Sequence, residues 1–307
     1  MKQIVFFISF WLTVAEVNAQ EFEVFYLSIG NANYESREEK FEGKYAPFSP
    51  VSGARRSARY VAELLERRSN GQGNMLRSDG NHLLSKVKIL AAVNDLINTV
   101  KKSKAKNPLV VFYYCGHGVS EGIAWSQFLV PGDFTEKPDY LDTDPLAIDL
   151  NELSDKLLYV GEITDLFAEA ELPYFCLIDA CYEGVEEDFS ALDPWFTQTA
   201  AQNFKDVAAV LRFMNEYHQE NPVLFATQPG MTTKTVTDPS LPEGVKIGPL
   251  CRKMLLIEKQ LDITNPLTLM DVVMLLHDPG FDELTKTATG NYEMGENAFT
   301  PFLIKQD

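Results

Sequence analysis

Short blocks of apolar residues alternate along the chain with longer stretches in which apolar positions recur at helical spacing. The blocks predict strands at residues 23–29, 87–90, 109–114, 173–178, 223–226 and 299–304. The helical stretches are at residues 52–68, 91–106, 151–170, 204–217, 250–259 and 267–276. Strands and helices that alternate in this order predict an α/β fold, with a mostly parallel central sheet and helices on both of its faces.

Two of these blocks run directly into small and reactive residues. The block VVFYY is followed by CGHG, and FCLI is followed by DAC. Uninterrupted apolar blocks are typical of strands that are covered on both faces in a parallel sheet, and ligands bind such sheets outside the carboxyl ends of the strands. If the two strands are neighbours, His117 and Cys181 lie at the same edge of the sheet.

A thiol and an imidazole at one sheet edge are suited to acyl transfer. Cys181 would attack a carbonyl carbon, His117 would carry the proton, and the N–H groups of Gly118 and Cys181 would stabilise the oxyanion. The glycines on either side of His117 permit a tight turn with accessible N–H groups. Each reactive residue alone also has a structural interpretation, because buried cysteine packs as a small apolar side chain. Their joint placement favours a catalytic pair.

These two motifs resemble the caspase and metacaspase superfamily of cysteine peptidases. Further segments are similar to that family in the same order, and they cover most of the chain after residue 19: LSIGNANY, SGARRSARYVAELL, FLVPGDF, VLFATQPG and IGPLCRKML. The resemblance implies a caspase-like three-layer sandwich over residues 20–307. It also implies endopeptidase activity, with Cys181 as the nucleophile and His117 as the acid-base residue.

The same resemblance suggests which residues bind the substrate. Asp179 matches the aspartate with which metacaspases bind an Arg or Lys side chain just before the scissile bond. Ser57 stands where metacaspases have a second pocket aspartate, and Thr227 and Gln228 belong to the pocket loop. Residues 231–235 lack the arginine of caspases, so neither known pocket is complete. A buried carboxylate still favours a cationic partner, and we therefore expect cleavage after Arg or Lys.

Two alternative functions stay open at this stage. One is a catalytically inactive caspase-like protein that binds peptides or regulates through the same cleft, although the intact His117 and Cys181 argue against it. The other is a different hydrolase or a transpeptidase with the same pair of residues, since one fold hosts many chemistries.

The charge of the chain limits its partners. With 27 basic and 44 acidic residues, its formal net charge is −17, which argues against nucleic acid as a partner. A peptide or protein substrate is the expected partner, and the sequence does not predict an oligomeric state. No cofactor or metal site is assigned. The resemblance to calcium-dependent metacaspases allows calcium, but the following carboxylates match no defined binding loop and favour a solvated acidic loop: Glu183, Glu186, Glu187, Asp188 and Asp193.

The first residues resemble an export signal. Lys2 precedes an apolar run at residues 4–15, and compact residues at 17–19 predict a signal peptide over residues 1–19. No later run reaches the length of a membrane helix. The sequence thus predicts an exported protein, periplasmic or extracellular.

An exported chain with four cysteines raises the question of disulfides. Three of them fall in or at the ends of predicted strands and the fourth in a predicted helix: Cys115, Cys176, Cys181 and Cys251. A chain of this length builds a core without cross-links, so we predict no structural disulfide.

Overall fold

The computed structural model describes part of the chain. The described residues are 23–34, 37–39, 43–45, 48, 50–69, 71–79, 82–120, 127–134, 155–181, 223–226, 235–238, 241–242, 244–260 and 302–304. Several predictions therefore lie outside the described residues: the signal peptide, the helices at 204–217 and 267–276, the acidic loop, and the pocket-loop residues Thr227 and Gln228.

Twelve strands and four helices are described below in chain order. The strands are β1 (Glu23–Gly30), β2 (Arg37–Glu39), β3 (Gly43–Tyr45), β4 (Gln72–Arg77), β5 (Pro108–Ser120), β6 (Gln127–Leu129), β7 (Leu158–Tyr159), β8 (Tyr174–Cys181), β9 (Val223–Phe225), β10 (Val236–Thr237), β11 (Lys246–Ile247) and β12 (Phe302–Ile304). The helices are α1 (Ala54–Ser69), α2 (Lys86–Ser103), α3 (Val160–Glu169) and α4 (Pro249–Gln260).

A mostly parallel sheet organises these elements. Its strand order is β12-β9-β8-β5-β1-β4. In this order, β9, β8, β5, β1 and β4 pair in parallel with their neighbours, and β12 pairs with β9 in antiparallel orientation. The α/β class and the mostly parallel sheet predicted from the sequence are confirmed.

Helices cover both faces of this sheet. Successive strand residues point to opposite faces, and on β5 this separates Tyr113 and Cys115 from Phe112 and Tyr114. The first two residues pack in one buried cluster with α1 and α4, and the other two pack in a second cluster with α2 and α3. The uninterrupted apolar block of β5 follows from this double burial.

β5 extends beyond its neighbour β1, and this extension carries His117 at the carboxyl edge of the sheet. β1 ends at Gly30, which is in register with Cys115. Past that point β5 pairs with β6 in antiparallel orientation, with Gly118 in register with Leu129. β5 and β6 thus form an antiparallel pair at the end of β5.

Two predicted elements need correction, and one strand was not predicted. Residues 87–90 are not a strand but belong to α2, whose first turn is capped by Ser85 Oγ accepting from Lys88 N at 3.2 Å. The helix predicted at 151–170 is interrupted: residues 155–156 are helical, residues 158–159 pair with β6, and α3 begins at Val160. The strand β4 was not predicted, since its sequence QGNMLR carries no apolar alternation.

Candidate active site

The two predicted reactive residues are partners in the sheet. β5 and β8 are adjacent and parallel, and His117 is in register with Cys181. Neighbouring strands lie about 4.8 Å apart, so the two backbones approach each other closely at this position. Because residues in register share a face of the sheet, His117 and Cys181 are on the same face. Of Cys181 the structure describes the backbone.

His117 is enclosed by aromatic rings. It is fully buried, and the centroid of its ring lies 4.7 Å from that of Tyr34 and 5.0 Å from that of Phe48. Its main chain is held as well: the N–H donates to Tyr34 Oη at 2.7 Å, and the carbonyl oxygen accepts from Val130 N at 3.0 Å. Both the backbone and the ring of His117 therefore have fixed neighbours.

The glycines around His117 do not form the expected turn, because β5 continues as a strand to Ser120. Gly116 is needed instead for a close approach of side chains. A Cβ atom at this position would lie 2.6 Å from Tyr114 Oη and 2.8 Å from Tyr34 Oη. Any larger residue would displace the hydroxyl that binds the main chain of His117.

The predicted oxyanion donors point into the gap between β5 and β8. The N–H of Val110 donates to the carbonyl of Pro173, the residue directly before β8. Gly118 is an even number of residues after Val110, so its N–H points to the same side of β5. The carbonyl of Ile178 accepts from Ala226 N, on the β9 side of β8. Main-chain groups alternate sides along a strand, so the N–H of Cys181, three residues later, points to the other side, toward β5. Cys181 belongs to the last pair of this ladder, and Gly118 follows that pair by one residue. N–H groups on this side of a strand face the carbonyl groups of the partner strand, and the role of these two as oxyanion donors stays a prediction.

Asp179 is buried at the start of α4. Its side chain is 1% exposed, and Oδ2 accepts from Tyr113 Oη at 2.8 Å and from Cys251 N at 3.0 Å. The first N–H groups of a helix lack partners within the helix and favour negative charge, so the carboxylate acts as a cap for α4. Oδ1 accepts no hydrogen bond from the described residues.

Burial raises the pKa of Asp179 to about 6. The hydrogen bonds from Cys251 N and Tyr113 Oη, together with the nearby main-chain N–H of Leu250, oppose that rise. The loss of hydration is the larger effect. At neutral pH the group is therefore mostly ionised, and a cation beside it would stabilise the ionised form.

Gly248 makes room for this carboxylate, and the sequence analysis did not identify it. A Cβ atom at position 248 would lie 2.1 Å from Asp179 Oδ2, so any larger residue would displace the carboxylate. The available signal was the dipeptide Gly248-Pro249, since proline at the first position of a helix marks its start. That signal locates the helix end but does not identify the carboxylate that meets it.

Ser57 lies close to the same helix end. It is buried in α1, its Oγ donates to Gly53 O at 3.1 Å and accepts from Gly248 N at 2.8 Å. Cys251, which binds Asp179, also donates through Sγ to Ser57 O at 3.7 Å. The structure thus brings Ser57 and Asp179 to one helix end, where the Ser57 hydroxyl links α1 to the start of α4. Its contact with a substrate stays a prediction.

Three of the four cysteines are buried free thiols: Cys115, Cys176 and Cys251. For these three the prediction of no disulfide is confirmed. Burial raises the pKa of Cys176 and of Cys251 above the usual thiol range. Since the thiolate is the reactive form, Cys176 and Cys251 are poor nucleophiles.

No protein-family model matches this chain, and no curated protein matches it either. The resemblance to the caspase and metacaspase superfamily therefore stays a prediction from the sequence motifs. Within the described residues, no helix is long and apolar enough to cross a membrane. The same part of the chain contains no group of three or more His, Cys, Asp or Glu residues that could hold a metal ion.

Proposed function

We propose that this protein is an exported cysteine endopeptidase with a caspase-like three-layer fold, which cleaves peptide bonds after Arg or Lys through Cys181 and His117. The observation that carries the proposal is the register of the sheet, in which these two residues are partners at the carboxyl edge of adjacent parallel strands. The covering of the sheet by α1 and α4 on one face and by α2 and α3 on the other is consistent with the three-layer arrangement.

The reaction proceeds through a thioester. His117 accepts the proton of the Cys181 thiol as the sulfur forms a bond to the carbonyl carbon of the substrate. The C–N bond then breaks, and the departing amine takes the proton from His117. Water, deprotonated by His117, attacks the thioester, the C–S bond breaks, and the thiol of Cys181 regains its proton.

The surroundings of His117 support this role. The rings of Tyr34 and Phe48 limit the movement of the imidazole and exclude water from part of its surface. A general base must be held within hydrogen-bond reach of the proton that it takes. An imidazole held on the strand next to that of the nucleophile supports this role.

The preference for a basic side chain is supported by Asp179. Its Oδ1 is buried and accepts no hydrogen bond from the described residues. A buried carboxylate oxygen is costly to leave without a partner, and a guanidinium or ammonium group would relieve that cost. Cys181 follows Asp179 by two positions on β8, so a side chain bound by Asp179 brings its own carbonyl near the nucleophile.

Peptide-library cleavage by the wild type beside Cys181→Ala tests the proposal. The wild type is expected to cleave after Arg and Lys, and Cys181→Ala is expected to cleave nothing. Cys176→Ala is the matched control, because Cys176 is buried on the opposite face of the same strand and should retain activity. Turnover that is faster after Asp or a small residue would contradict the side-chain preference. If the wild type cleaves no peptide, the proposed peptidase activity is refuted.

The buried carboxyl of Asp179 also predicts a pH dependence of stability. Its pKa in the folded protein is raised to about 6, so the folded state takes up a proton at a higher pH than the unfolded state. As the pH falls from about 7 to about 4, the free energy of unfolding of the wild type should rise relative to Asp179→Asn, by on the order of 2 to 3 kcal/mol. Urea unfolding of both proteins across this range measures the difference. A difference that stays constant or falls would show that burial does not raise this pKa.

A further inference from the structure

The backbone of His117 lies beyond the last residue of β1 that can pair with it. The N–H of Asn31 donates to the carbonyl of Cys115 at 2.8 Å, and this is where the chain after β1 leaves β5. The N–H of His117, two residues further along β5, points to the same side of the strand. Tyr34 Oη accepts that N–H at 2.7 Å, so a tyrosine hydroxyl takes the place of a strand carbonyl.

Tyr34 is itself held in place. Its hydroxyl donates to the carbonyl of Asn31 at 3.1 Å, and burial raises the pKa of Tyr34 well above its usual value, so the hydroxyl keeps its proton. The preceding residues are anchored to the sheet, because Ser78 Oγ accepts from Ala32 N at 2.8 Å and from Asn33 N at 3.0 Å. The connection that carries Tyr34 is thus fixed at three points.

We propose that Tyr34 is a positioning residue that holds both the backbone and the ring of His117 for proton transfer with Cys181, an inference that rests on the proposed function. One side chain contacts His117 twice: its hydroxyl binds the N–H, and its ring lies 4.7 Å from the imidazole. Without the hydroxyl, a main-chain N–H and the carbonyl of Asn31 lose a partner in a buried region. The backbone of His117 then shifts, and small displacements of a catalytic group slow the reaction strongly.

Tyr34→Phe tests this role, with Tyr26→Phe as the matched control. The control removes a tyrosine hydroxyl from the same face of the same sheet, where Tyr26 donates to Glu66 far from His117. Two measurements are made on wild type and variants: kcat and KM for an Arg peptide, and the NMR resonances of ¹³C-labelled histidine rings. The chain has four histidines, so the His117 signal can be assigned with a single His117→Gln variant.

Tyr34→Phe is expected to lower kcat about 10-fold or more with KM changed less than about twofold, and to shift the His117 ring signal while that of His82 stays in place. Tyr26→Phe should change neither, even if both variants lose similar thermal stability. The proposal would be overturned if the two variants had the same kcat and the same His117 ring signal. If the wild type shows no Cys181-dependent cleavage, the proposed peptidase activity is refuted. A His117 signal that still moves only in Tyr34→Phe would then support the positioning of His117 by Tyr34, and an unmoved signal would refute it.

Discussion

Replacing His117 by alanine is expected to lower kcat/KM for an Arg peptide about 1,000-fold or more, the range seen when a general acid-base group is lost. Cys181→Ala should reduce cleavage at least as far, because it removes the thiol that forms the bond to the substrate carbonyl carbon. The double variant is expected to be no slower than Cys181→Ala alone. Both residues act in the same step, which joins one proton transfer to one bond formation. Once one of them is lost, the loss of the other therefore lowers the rate little further.

Initial rates for the four proteins measure this cycle. His82→Ala is the matched control, because His82 lies near Asp79, where the two residues form an isolated bridge away from β8, and its loss should leave the rate unchanged. If the double variant instead showed the product of the two single losses, the residues would act independently. A His117→Ala protein with wild-type kcat/KM would remove the histidine from the mechanism.

The sequence predicted the strands that matter most because burial on both faces leaves a strong signal. β1, β5 and β8 are apolar blocks that end in small or reactive residues, and all three were recognised. β4 was missed because it is a polar strand whose existence depends on pairing with β1. The start of α2 was misassigned because a short apolar run fits a strand and a buried helix stripe equally well.

The candidate site was predictable only in part, for a similar reason. His117 and Cys181 follow from local sequence, since each sits where a buried strand meets glycine or alanine. Tyr34 and Gly248 gain their roles from contacts with residues far away in the chain. Tyr34 binds a backbone 83 positions later, and Gly248 is required only because Asp179 approaches it. Such contacts depend on the three-dimensional packing of loops and helices, which periodicity does not encode.

The second large effect is expected for Asp179→Asn. This change should lower kcat/KM for Arg peptides about 100-fold relative to the matched citrulline peptides, since breaking one partner of a buried ion pair costs several kcal/mol. Citrulline has the shape of arginine without its charge. The ratio of the two rates therefore isolates the charge of Asp179 from any general loss caused by the weaker cap of α4.

Tyr113→Phe is the matched control for this ratio. It removes the hydrogen bond from Tyr113 Oη to Asp179 Oδ2 but leaves the carboxylate charge in place, so the preference for Arg over citrulline should persist. Asp179→Asn must still accept from Cys251 N, which an amide oxygen can do, and thermal unfolding shows whether α4 keeps its cap. Equal losses for both peptides would mean that Asp179 serves α4 alone. A loss confined to the cationic peptide means that one carboxylate caps the helix through Oδ2 and binds the substrate through Oδ1.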